Sequence, residues 1–166
     1  MHRQDIWLNS QGIPLAASFF VPTGNGPHPG LVICHGMPSK TRVDSMTVSS
    51  STKGFNYALL GELCAWDGFA TIIFNFRGTG TSGGDFHPLG WVADLNTVLF
   101  WLSDMPTVDS TRIVLLGSSL GAAVAIYVAA QRSQVAAVAT FASPATISPP
   151  SNPTKAIDRF RELGVI

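Results

Sequence analysis

The chain has 166 residues, of which 46% are hydrophobic and 12% charged, and its formal net charge is zero at pH 7. That length suits one domain with a real core, and the composition excludes a disordered chain. The neutral balance offers no electrostatic footprint for nucleic acid or an anionic membrane, and no run approaches the ~20 apolar residues of a membrane helix.

The amino terminus, Met1 to Asp5, leads into polar–apolar alternation and not an apolar stretch, so no signal peptide is expected and the location is read as cytoplasmic. Ile6-Trp7-Leu8 and Ile13 to Val21 flank the polar turn Asn9-Ser10-Gln11-Gly12, the pattern of an antiparallel hairpin. Pro22 to Gly30 is a Pro- and Gly-rich loop. Leu31 to Cys34 then forms a short unbroken apolar run, as in a strand covered on both faces. The polar stretch from Pro38 to Lys53 is longer than an ordinary connection and is read as functional or mobile. Gly54 to Asp67 carries Tyr57, Leu60, Leu63 and Cys64 near helical spacing and stops at Gly68, and Ala70 to Phe74 is the next buried strand.

Arg77 to Gly84 is glycine-rich loop. Trp91, Leu95, Val98 and Leu102 recur at i, i+4, i+7 and i+11, which predicts one apolar helix face ending before Pro106. Ile113 to Leu116 is a third buried strand, Ser119 to Arg132 an Ala-rich helix, and Val135 to Phe141 a fourth strand. Ser143 to Pro153 is a further loop, after which Asn152-Pro153 reads as a helix cap with Pro at the first turn and Ile157, Phe160 and Leu163 on one face. The strand–helix–strand rhythm predicts an α/β fold whose sheet is mostly parallel after an antiparallel start, with helices on both faces.

Three stretches carry chemistry, each directly after a buried strand: His35-Gly36-Met37, the loop Asn75 to Gly84, and Gly117-Ser118-Ser119-Leu120-Gly121. The last spells G-x-S-x-G between a strand and a helix, where a sharp turn pushes a serine oxygen toward substrate and flanking glycines let the turn close. Ser119 is thereby the candidate nucleophile. Gly78-x-Gly80-x-x-Gly83 also spells a dinucleotide fingerprint, but Asp85-Phe86-His87-Pro88 separate it from its helix, so pyrophosphate could not meet the helix amino end, and a phosphate-binding Lys-Ser/Thr ending is absent. Arg77 is expected to anchor this loop through carbonyls or a carboxylate. Cys34 and Cys64 have neither disulfide nor zinc spacing and are read as reduced, buried thiols. No ligand cluster implies a metal or an organic cofactor.

The order of these motifs resembles the α/β-hydrolase fold, in particular its bacterial esterase-like and serine aminopeptidase-like members. The resemblance implies Ser119 as nucleophile, backbone N–H groups of Met37 and Leu120 as the oxyanion hole, Gly36, Gly117 and Gly121 as motif glycines, and His35 as a structural part of the oxyanion turn. It also implies a chain order of serine, acid, histidine. Here all four histidines, His2, His28, His35 and His87, precede Ser119, and Asp158, the sole aspartate after it, falls on a predicted helix face. His87, on a loop leaving the neighbouring strand, is the substitute base to test, since a serine without a base is a weak nucleophile.

The expected sheet ends early and would expose a long apolar edge, which folded proteins avoid. The economical expectation is the amino-terminal part of a longer hydrolase whose acid and histidine lie in sequence not included here. Strands supplied by another copy through self-association, or a protein that has lost catalysis, would be the alternatives. The function expected is a serine hydrolase cleaving an ester or related small-molecule acyl substrate through an acyl-enzyme on Ser119, or transferring the acyl group to another acceptor. The alternative is a catalytically incomplete scaffold that binds a ligand or partner. Lys40 and Arg42, in the long loop bordering the oxyanion turn, would favour an anionic substrate.

Overall fold

In the computed structural model, residues 1–37 and 56–145 are described. They build a six-stranded sheet from β1 (His2–Ser10), β2 (Ile13–Val21), β3 (His28–Cys34), β4 (Ala70–Phe74), β5 (Val108–Ser118) and β6 (Val135–Phe141), with helices α1 (Tyr57–Trp66), α2 (Pro88–Ser103) and α3 (Ser119–Ala129). The spatial order is β1-β2-β4-β3-β5-β6. β1 and β2 pair antiparallel, β2 joins β4 antiparallel, and the remaining pairings are parallel. The expected antiparallel start and parallel body are both present.

Alternation along the strands sorts the core into two layers. Val32 and Cys34 of β3, Ile72 and Phe74 of β4, and Ile113 and Leu115 of β5 face α2 and α3. Leu31, Ile33 and Ile73 face α1 on the other side. A period of two on strands buried on both faces reads as the continuous apolar runs seen in the sequence. On α2 the predicted stripe is the buried one: Trp91, Leu95, Val98 and Leu102 are fully covered.

The hairpin turn is tighter than the four-residue turn expected. Asn9 and Ser10 belong to β1, and only Gln11 (φ 55°) and Gly12 (φ 85°) turn the chain. Two positive φ values match the right-handed twist of the flanking strands, and Asn9 Oδ1 accepts from the Gly12 N–H at 2.7 Å. β3 and β5 begin earlier than their apolar runs suggested, because His28 and Pro29 register against Val108 and Asp109.

The largest correction concerns α1. Leu63, expected on the buried face with Tyr57, Leu60 and Cys64, is 51% exposed, while Tyr57, Ala58, Gly61 and Ala65 are buried. The helix lies so close to the sheet that a Cβ on Gly61 would come within 2.7 Å of the Phe20 ring. No side chain fits at Gly61, and Leu59 and Leu63 turn outward while Leu60 stays partly buried against the core, as expected. Cys64 is correspondingly half-buried and Cys34 fully buried. β6 carries the exposed edge that was anticipated: Ala136 to Phe141 are all exposed in this structure. The Pro38 to Lys53 loop with Lys40 and Arg42, and the helix following Asn152-Pro153 with Asp158, Ile157, Phe160 and Leu163, lie outside the described residues. Among the described residues no helix is long and apolar enough to cross a membrane.

Candidate active site

The chain crosses from β3 to β4 on one side and from β4 back over β3 to β5 on the other, so the carboxyl ends of β3 and β5 flank a reversal of strand order. Open α/β sheets bind ligands in the crevice at such a point. The parallel register sets Cys34 opposite Gly117. Beyond that pair His35-Gly36 leaves the sheet after β3, and Ser119 leaves it after Ser118, the last residue of β5.

Ser119 has φ 51°, the left-handed region that costs a non-glycine residue roughly 1–2 kcal/mol. Strain of that kind persists where the surroundings over-determine the backbone, and here they do. A Cβ on Gly117 would lie 2.5 Å from the Ala122 Cα, and one on Gly121 would overlap the His35 carbonyl oxygen and approach that of Cys34 to 2.6 Å. The glycines let α3 start directly against the end of β3. Gly121→Ala is therefore expected to destabilise the protein by about 3 kcal/mol or more, because the obstruction is strand backbone that cannot yield. Chemical denaturation of the variant measures this, and a loss below about 1 kcal/mol would mean that the turn is softer than drawn.

Gly36 is buried against the same turn, where an added Cβ would stand 2.9 Å from Ser119 Cβ and 3.6 Å from Ser119 Oγ. His35-Gly36-Met37 and the Ser119 turn are thus in contact, and Met37 is partly exposed beside them. Leu120 occupies the first turn of α3, where amides have no intrahelical acceptor. The other two helices spend such an amide on a capping side chain: Asn56 accepts from Leu59 N–H, and His87 from Gly90 N–H. Ser118, the cap residue of α3, makes no such bond. The amino end of α3, beside Ser119, thus has no capping bond from its own cap residue.

His87 has structural work. Its Nδ1 accepts the Gly90 N–H at 3.0 Å, with Pro88 opening α2 behind it. The four residues between Gly83 and α2 match the reasoning that set the dinucleotide reading aside. Arg77 anchors its loop as expected, and its partner is a residue that pattern reading passed over. Asp94, 0% exposed, takes the Arg77 guanidinium at 2.7 and 3.0 Å and the Arg77 backbone N–H at 2.9 Å. Trp91 Nε1 donates to the Arg77 carbonyl at 3.2 Å. A signal existed: Asp94 is the sole charged residue of α2 and sits three residues after Trp91, on the apolar stripe.

His35 is buried, with Nε2 accepting the Phe76 N–H at 3.2 Å and Nδ1 bonded to the Gly36 carbonyl. Burial holds its pKa down to about 4. Burial likewise pushes the Cys34 thiol far up, which leaves it inert. Among the described residues, no group of His, Cys, Asp and Glu could hold a metal ion.

Comparison with known proteins agrees with this arrangement. Residues 11–149 match the family model for X-Pro dipeptidyl-peptidase (S15 family). An uncharacterised 31.7 kDa protein of Escherichia coli, from the traX-finO intergenic region, is 33% identical over 129 residues, covering 76% of this chain and 40% of that protein. An uncharacterised protein of Mycobacterium tuberculosis is 32% identical over 136 residues, covering 81% of this chain and 44% of its own length. The chain thus spans less than half the length of these relatives. Among solved structures, an alpha/beta hydrolase from Penicillium superposes with TM-score 0.73 at 20% identity, over 97% of this chain and 52% of that one. A Xanthomonas campestris protein described as a member of a/b serine hydrolase without lid gives TM-score 0.66 at 25% identity, over 92% and 66% of the two chains. With the sheet order, the strained serine turn and a family match over most of its length, the chain belongs to the S15 peptidase family of α/β hydrolases.

Proposed function

We propose that this chain carries the nucleophile half of a serine hydrolase acting on an ester or related acyl substrate. Ser119 Oγ gives its proton to the base and attacks the carbonyl, the developing oxyanion is received by the N–H groups of Leu120 and Met37, the ester C–O bond breaks and the alcohol leaves with that proton, and water then hydrolyses the acyl–Ser119 ester to the free acid. The observation that carries the reading is Ser119 at φ 51° between a buried strand and an uncapped helix, with Gly36 packed against it. A strained serine beside helix-end amides that no cap side chain takes up suits acyl transfer, since each donor to an oxyanion is worth ~10²–10³ in rate.

No histidine follows Ser119, and His87 is engaged as a helix cap. The proposal therefore assigns the general base and its carboxylate to polypeptide outside these 166 residues, which the greater length of the relatives supports. The family description adds peptide bonds after proline to the candidate substrates. The natural full-length protein, treated with a fluorophosphonate, is expected to gain one adduct on Ser119 and to turn over a p-nitrophenyl ester or an X-Pro p-nitroanilide. A full-length protein that takes up no adduct and turns over neither substrate would instead be a binding scaffold.

A further inference from the structure

We propose that the free edge of β1 is a self-association surface, on which a second copy of this chain pairs antiparallel about a two-fold axis at Ile6. Among the described residues β1 ends the sheet on the side opposite β6. Its pairing with β2, from His2↔Val21 to Ser10↔Ile13, runs without a bulge, and the strand holds no proline. Folded proteins usually blunt such an edge with a bulge, a proline or unpaired charge. Here the two charged side chains, Arg3 and Asp5, pair with each other at 2.8 Å, so neither repels an incoming strand.

The hydrogen bonds of β2 show which backbone groups of β1 are open. Ala16, opposite Trp7, gives its N–H to Ser82 Oγ and accepts the Asn75 N–H at its carbonyl, both at 2.9 Å. Pro14, opposite Asn9, has no N–H, and its carbonyl accepts from Gly83 at 2.8 Å. Both residues turn away from β1, so the N–H and carbonyl groups of Trp7 and Asn9 point outward from the sheet. Alternation along an antiparallel strand puts those of Arg3 and Asp5 on the same open edge. A two-fold axis at Ile6 sets Trp7 against the partner's Asp5 and Arg3 against the partner's Asn9, joining open groups to open groups over the whole strand. An axis at Asp5 would bring two carboxylates face to face, and one at Gln4, Trp7 or Leu8 would leave part of the strand unpaired.

The side chains match in the same register. Trp7 is 63% exposed opposite the small Ala16, and its indole N–H has no acceptor among the described residues. Asp5 Oδ1 accepts from Arg3 and from the Ser18 hydroxyl, at 2.6 Å for the latter, while Oδ2 is left without a donor. Directly opposed side chains on a sheet face are in contact, so the Trp7 indole N–H meets the partner's Asp5 carboxylate, twice by symmetry. The two indoles stand diagonally across the axis, within reach of each other. Such an isologous contact closes on itself as a dimer, with a buried tryptophan as its anchor.

Sedimentation equilibrium of the natural full-length protein is expected to show a monomer–dimer equilibrium with Kd of about 10 μM, as suits a small interface. Trp7→Glu sets a carboxylate against the partner's Asp5 and should raise Kd by about 30-fold or more, whereas Trp7→Lys meets it with a cation and should stay within about tenfold of wild type. A wild-type protein that is monomeric at about 100 μM, a dimer that Trp7→Glu leaves intact, or equal losses in the two variants would overturn the proposal. Hydrogen exchange of the wild-type protein reads the edge directly. The amides of Arg3, Asp5, Trp7 and Asn9 should gain protection as concentration rises through Kd. Protection at every concentration would mean that the protein's own polypeptide covers β1, and would equally overturn it.

Discussion

Replacing Ser119 with glycine in the full-length protein is expected to raise its stability by about 0.5–1 kcal/mol while lowering turnover of an activated ester by about 10⁵-fold or more. The two effects have one origin. Serine at φ 51° holds its Cβ in a conformation that only glycine adopts freely. Part of the gain is returned as the extra conformational entropy of glycine in the unfolded chain. Ser119→Ala should lose activity equally and gain nothing in stability, because alanine keeps the Cβ. Urea unfolding of the three proteins, with burst kinetics on the ester, separates these outcomes. If the glycine variant were less stable than wild type, the strain at the turn would not be a cost of function.

Removing the carboxylate of Asp94 should have the largest effect on stability. Asp94→Ala leaves the Arg77 guanidinium, with its side chain 11% exposed, without its counter-ion, and leaves the Arg77 N–H without its acceptor. Breaking a buried pair from one side typically costs about 3–5 kcal/mol, since the remaining charge stays desolvated. The remaining contacts of Arg77, with Ser10 Oγ at 3.2 Å and Gln11 Oε1 at 3.5 Å, are to neutral groups and cannot replace the carboxylate. The double variant Arg77→Met/Asp94→Leu should recover part of the loss, because no charge is then stranded. Equilibrium unfolding of the single and double variants forms a closed cycle. A single-variant cost under about 1 kcal/mol would show the pair to be dispensable.

Local patterns in the chain carried much of the fold. Strands that are covered on both faces appear as unbroken apolar runs, which made β4 legible to the residue, and β6, although exposed in this structure, was legible from an apolar run of the same kind. The stripe from Trp91 to Leu102 was legible because a 3.6-residue period has few other causes. α1 was misread on its buried face, and the reason is steric. Tyr57, Leu60 and Cys64 do face the core, but periodicity also placed Leu63 inward, whereas the helix packs through Gly61, where the Phe20 ring, some forty residues away in sequence, leaves no room for a Cβ.

At the site, the sequence by itself determined the order of parts: a serine in a glycine-flanked strand-to-helix turn, a His-Gly turn after an earlier strand, and an arginine loop between them. Short-range stereochemistry dictates each, since a turn this tight tolerates only certain residues. The tertiary structure alone decided which parts touch. The register of β3 on β5 brings Gly36 against Ser119, the register of β3 on β4 brings His35 to Phe76, and the packing of α2 brings Asp94 to Arg77. These partners are 17 to 83 residues apart in the chain, as 94 − 77 and 119 − 36 give. No local pattern encodes such distances, because sheet register and helix docking are set by the summed burial of both core layers and not by any one segment.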